Sequence, residues 1–116
     1  MNQVRARVFY RNHFYGFFNK QSEKSKEKID YVLFLVSHIE KVPEKFLKHL
    51  EGSEGLFEIR VDYQSNIYRI FCCFNEGKLV VLFNGFQKKT QKTPSQEINL
   101  AEQRKRDYLN RRFDDE

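Results

Sequence analysis

A chain of 116 residues and 14.1 kDa is one domain long, with room for a core that needs no metal or disulfide staple. At 40% hydrophobic and 32% charged residues it is too apolar for a disordered chain and too charged for a membrane protein. The formal charge of +5, from 21 Lys and Arg against 16 Asp and Glu, suits a polyanionic partner such as nucleic acid, the alternative being a plain solvated surface.

Residues 1–20 hold Arg5, Arg7, Arg11 and Lys20 with no acid, and no apolar signal core precedes them. Residues 3–10 alternate in part and predict a first strand, separated from the others and therefore at an edge. Residues 11–20 are aromatic and irregular and take no assignment. Ile29, Val32, Leu33, Val36 and Ile39 recur at spacings of three and four, which predicts an amphipathic helix over 22–39 capped by Gln21 or Ser22. The longest apolar run, 31–36, is six residues against the roughly 18–20 needed to cross a bilayer. Pro43 followed by Phe46, Leu47 and Leu50, with Gly52 behind, predicts a second helix and so a helical hairpin.

The period then changes from helical to alternating. Phe57, Ile59, Val61 and Tyr63 alternate with Glu58, Arg60 and Asp62, a half-buried strand. Residues 67–74 are apolar except for Arg69 and predict the next strand. Residues 75–78 turn the chain, with Gly77 where a positive φ is required. Residues 79–83 predict a central strand, interrupted at Asn84-Gly85. Thr93-Pro94-Ser95-Gln96 carries the cap, first-turn proline and glutamine of a helix start, and the last helix ends in a frayed Asp114-Asp115-Glu116 tail. The sum is an α+β fold, a single domain over residues 1–116. Its small twisted antiparallel sheet carries helices on one face, an N-terminal helical hairpin and a C-terminal helix.

Cys72 and Cys73 are adjacent, so on a strand they point to opposite faces and cannot share a metal or easily pair. No metal-ligand spacing, nucleotide-binding glycine loop or nucleophile elbow is present, and no cofactor is expected. His38 and His49 fall on the predicted helical hairpin, as helix-surface residues away from the sheet. The chemistry therefore rests on cations. Arg60 and Arg69 lie on neighbouring strands, where Arg69 in an apolar run requires a partner such as Glu58. Lys88, Lys89 and Lys92 follow the third strand of the meander, with Thr90, Gln91 and Thr93 as hydrogen-bond donors and the last helix's N-terminus facing the same region. This convergence at one end of the sheet suits a phosphate.

The runs VPEKFLKHLEG (42–52), GLFEIRV (55–61), NIYRIF (66–71) and LFNGFQKKTQKTP (82–94) resemble the HigB-like branch of the RelE/ParE toxin superfamily, which includes phage-derived Gp-type proteins. The last run is the most specific. The resemblance implies the RelE-like fold and a cytoplasmic toxin of a type II toxin–antitoxin pair that enters the ribosomal A site and cuts mRNA without a metal. It also implies a cognate helix-turn-helix antitoxin. Position by position, Arg69 matches the strand arginine that holds the scissile phosphate and Arg60 a basic position that orients the mRNA. Lys88 or Lys89 matches a cation near the leaving group, and Lys92 a further polar position. Tyr68 and Phe86 are candidates for stacking a base. Some relatives carry catalytic histidines on the sheet; no histidine of this sequence falls on a predicted strand of the meander. The alternatives are a non-catalytic ParE-like or phage-type inhibitor, or a small basic nucleic-acid-binding module.

Overall fold

The computed structural model describes residues 2–114, with side-chain surroundings through residue 111. The elements run β1 (Ala6–Phe9), α1 (His13–Phe18), α2 (Glu23–His38), β2 (Leu47–His49), β3 (Phe57–Tyr63), β4 (Asn66–Asn75), β5 (Leu79–Gln87) and α3 (Ser95–Asp114). Asp114 thus closes α3, while Asp115 and Glu116 of the expected tail lie outside the described residues.

The five strands form one sheet in the order β1-β5-β4-β3-β2. Strands β2 to β5 pair antiparallel, and β1 adds in parallel at the β5 edge, so the sheet is mixed rather than purely antiparallel. The edge position expected for the first strand holds. The Asn84-Gly85 interruption is a bulge: Ile70 opposes Gly85 while Cys72 opposes Leu82, leaving an extra β5 residue, and the strand continues to Gln87. Gly85 has a second reason to lack a side chain. A Cβ there would stand 2.5 Å from Cδ2 of the buried Phe17.

The helices cover both faces, not one. Ile59, Val61, Ile70, Cys72, Val80 and Leu82 pack under α1 and α2, while Leu56, Phe71, Cys73, Val81 and Phe83 pack with Ala101 of α3. The reason is visible in β4, whose unbroken Ile70–Phe71–Cys72–Cys73 run has an apolar side chain for each face and demands two covers. Cys72 and Cys73 are free, buried and on opposite faces. Burial pushes both thiols up, Cys73 to about 11.

The expected second helix is absent. Pro43 to Phe46 make a turn, with the Phe46 and Leu47 amides donating to the Pro43 carbonyl, and Leu47–His49 becomes the edge strand β2. Pairing with β3 satisfies main-chain groups that would otherwise lie open along that edge. This outweighs a local pattern in which Leu47 and Leu50 suit a helix. The N-terminal helix pair is instead α1 with α2, built from the segment that sequence reasoning left unassigned. Ser22 caps α2, its Oγ accepting from the Ser25 amide. His49 therefore sits on β2, against the Phe57 ring, rather than on a helix; His38 closes α2 as expected.

Two of the N-terminal cations are structural. Arg5 donates through Nη1 to the Val36 and Ile39 carbonyls at the end of α2, at 2.8 Å each, and Arg7 Nε donates to Ser37 Oγ at 2.9 Å. A guanidinium there satisfies the open carbonyls of a helix C-terminus and meets the negative end of its dipole. Among the described residues, no helix is long and apolar enough to cross a membrane.

Candidate functional site

At the end of the sheet where β3 and β4 turn, Arg60 and Arg69 stand directly opposite each other across the strand pair. Two like charges in register repel. The alternation of β3 supplies the remedy, because Glu58 and Asp62 share the face of Arg60. Glu58 Oε1 lies 3.7 Å from Arg60 Nε and 3.8 Å from Arg69 Nε, and Asp62 Oδ1 accepts from Arg69 Nη1 at 3.1 Å. Arg69 Nη1 also donates to its neighbour's carbonyl, that of Tyr68, at 2.9 Å. Glu58 and Arg69 are buried, at 6% and 3% exposure, while the Asp62 side chain is largely exposed. The expected Arg69–Glu58 pair is present, with Asp62 as a second and closer partner. Saturation is incomplete: Glu58 Oε2, Arg60 Nε and Arg69 Nε are buried without a hydrogen-bond partner among the described residues.

A cavity of about 690 Å³ opens over this cluster, lined by Arg60, Arg69, Gln87, Lys88 and Lys89 with Thr90 and Gln91 at its rim. Lys88 is held by its main chain, which donates to the Ile67 carbonyl at 2.7 Å and so extends the β4–β5 ladder by one residue. Its side chain is half-buried and that of Lys89 exposed. Neither lysine has an ion-pair partner among the described residues. The arginines and carboxylates cancel in charge, so the lysines carry the cavity's excess positive charge.

Four of the residues expected at the site, Arg60, Arg69, Lys88 and Lys89, therefore meet. Phe86 stands opposite Arg69 in register and packs its half-buried ring 5.7 Å from that of Phe71, next to the cluster. Lys92 is exposed and lies outside the cavity lining, in the bend before α3. Tyr68 is not available for stacking. It is 3% exposed on the opposite face, with its hydroxyl 2.9 Å from Ser25 Oγ and its ring edge-on to Phe17. Strand alternation makes this unavoidable, since a neighbour of Arg69 must point the other way. The N-terminus of α3 also differs from expectation. Its first turn does not line this cavity; Glu97 instead accepts from Asn84 Nδ2 at 3.0 Å, at the β5 bulge.

Sequence reasoning missed His13. It opens α1 and lines a second cavity with Lys20, Asn84, Glu97 and Arg104. Burial, with Arg104 and Arg11 nearby, holds its pKa below the usual histidine value. The signal was present: Phe14, Phe17 and Phe18 follow helical spacing, which places His13 at the start of a short helix rather than in a loop.

No curated protein matches this chain. Residues 16–106, from within α1 to within α3 and including every residue that lines the sheet-end cavity, match the family described as phage-derived protein Gp49-like (DUF891). With the match spanning most of its length, the chain belongs to the Gp49-like family of phage-derived proteins.

Proposed function

We propose that this chain is the toxin of a type II toxin–antitoxin pair and acts as a ribosome-dependent mRNA endoribonuclease. The observation that carries the reading is the gathering of Arg60, Arg69, Lys88 and Lys89 around one open cavity at the sheet end. In the proposed step the ribose 2′-hydroxyl gives up its proton to solvent and its oxygen attacks the adjacent 3′-phosphate. The P–O5′ bond breaks, a 2′,3′-cyclic phosphate forms, and the departing oxygen takes up a proton as a 5′-OH. Charge accumulates on the phosphorane oxygens, where fixed cations lower the barrier. Arg69, rigid and paired, is suited to orient the scissile phosphate; Lys88 or Lys89, unpaired, to meet the leaving oxygen. Three or four cations read little sequence and provide no acid–base pair, so placement of the mRNA falls to the ribosomal A site. A helix-turn-helix antitoxin encoded next to the chain completes the proposed system.

A second reading, an inhibitor that binds without cutting, draws on the double pairing of Arg69, which leaves that guanidinium largely spent on Asp62 and Glu58. Pulse labelling after expression of the chain alone separates the two. The nuclease reading expects protein synthesis to stop first, with mRNA cut on ribosomes and not in their absence. DNA synthesis stopping first, or efficient codon-specific cutting of naked mRNA by the purified protein, overturns it.

A further inference from the structure

The cavity of about 420 Å³ between α1, the β5 bulge and α3 contains a guanidinium that no ion pair or hydrogen bond fixes among the described residues. The Arg104 guanidinium is half-buried there, and burial pulls its pKa below the usual arginine range. Among the described residues it makes no hydrogen bond or ion pair, although it offers five donors. Glu97, on the same helix and lining the same cavity, attracts the guanidinium from beyond ion-pair distance while its Oε1 accepts from Asn84 Nδ2. Lys20, just past α1, adds a second unpaired cation to the same wall.

His13 stands among these charges. The groups facing it are Arg11 in the same turn, Tyr10 after β1 with rings 5.9 Å apart, Arg104 and Glu97 from α3, and Lys20. Arg11 is itself held over the Tyr10 ring, its Nε donating to the Tyr10 hydroxyl. Burial, then the Arg104 and Arg11 guanidiniums, lower the pKa of His13, and the imidazole has a ring N–H to donate. An unpaired guanidinium, an ammonium and an imidazole N–H from separate segments fit a tetrahedral anion better than a planar carboxylate, which offers only two oxygens. The cavity is larger than one phosphate and within the range of small-ligand sites.

We propose that this cleft is a phosphate site for a nucleotide, free or within single-stranded RNA, with Arg104 and Lys20 holding the phosphate and His13 donating to it. The site does not depend on cleavage at the Arg60–Arg69 end.

The test follows the His13 ring protons by NMR against pH, assigned with His13→Gln, in the full chain. The probes are inorganic phosphate, 5′-AMP and a short single-stranded RNA without terminal phosphates. A bound anion favours the imidazolium, so the His13 midpoint is expected to move up by about 0.5–1 pH unit. Arg104→Gln and Lys20→Gln are each expected to weaken the effect about tenfold in probe concentration, while Lys41→Gln leaves it unchanged. A response to phosphate and 5′-AMP identifies a free nucleotide as the source of the phosphate; a response to RNA alone identifies the backbone. No movement with any probe, or movement unaffected in both Arg104→Gln and Lys20→Gln, overturns the proposal.

Discussion

The two cation-lined cavities differ in how their charge is held. At the sheet end, Arg60 and Arg69 face each other across β3 and β4, and Glu58 and Asp62 neutralise them; the free charge there comes from Lys88 and Lys89. In the α1–α3 cleft, Arg104 and Lys20 have no acidic partner within ion-pair distance among the described residues, and the pKa of the histidine beside them is lowered. A cation's presence in a sequence therefore says little about its availability. Rigid placement and free charge are opposed properties: pairing positions Arg69 but spends its charge, while Arg104 keeps its charge without a fixed partner.

The largest expected effect is at Arg69. Arg69→Ala removes the proposed phosphate ligand and leaves Glu58 buried with Arg60 Nε, 3.7 Å away, as its remaining ion-pair partner among the described residues. Loss of transition-state stabilisation predicts a fall of ~10²–10³ in ribosome-dependent cleavage. Breaking a buried pair predicts a loss of about 3–5 kcal/mol in stability. Chemical denaturation together with cleavage of ribosome-bound mRNA measures both. The double variant Glu58→Gln, Arg69→Gln sharpens the comparison, since it removes the stranded charge and is expected to recover stability but not cleavage. Recovery of both would reduce Arg69 to a structural residue.

Gly85 lies on β5 between the two regions and lines the cleft. Gly85→Ala drives a methyl into the Phe17 ring and is expected to cost about 1–3 kcal/mol, read as a lower denaturation midpoint. Lys88 and Lys89 follow the same strand, so cleavage per folded molecule reads whether the bulge also positions them.

Lys88→Ala and Lys89→Ala are expected to lower ribosome-dependent cleavage about tenfold each, roughly 1.4 kcal/mol, with an unchanged melting temperature. The lysine with the larger loss is the one nearest the leaving group. Equal, negligible losses would leave the sheet end without free charge and favour the binding reading.

The smallest effect concerns pH. The His13 pKa is lowered on folding, so the unfolded chain binds its proton more readily than the folded one. Its contribution to stability is present above the ordinary histidine value near 6.5 and is lost as pH falls below it. His13→Gln should flatten the stability profile in that window, as followed by denaturation at stepped pH; the Arg60–Arg69 end should show no such dependence on His13.

Much of this molecule was legible in the residue pattern. The α2 stripe, the alternation of β3, the Gly77 turn and the apolar β4 depend on local periodicity, which any tertiary context must respect. The meeting of Arg60, Arg69, Lys88 and Lys89 followed too, because hairpin register places β3, β4 and the end of β5 side by side. Tertiary structure decided the rest. Residues 43–50 carry a helical pattern, yet Leu47–His49 within them pair with β3, since an open sheet edge offers main-chain hydrogen bonds that local propensity does not foresee. Tyr68 joins the core because its strand has a buried face on each side. Charge pairing is likewise set by packing. Arg5 caps a helix that ends more than 30 residues later, and Arg104 meets His13 only because α1 and α3 flank the same strand. A sequence lists ionisable groups in order along the chain, but their partners are fixed by distances of a few ångströms between segments far apart in that order.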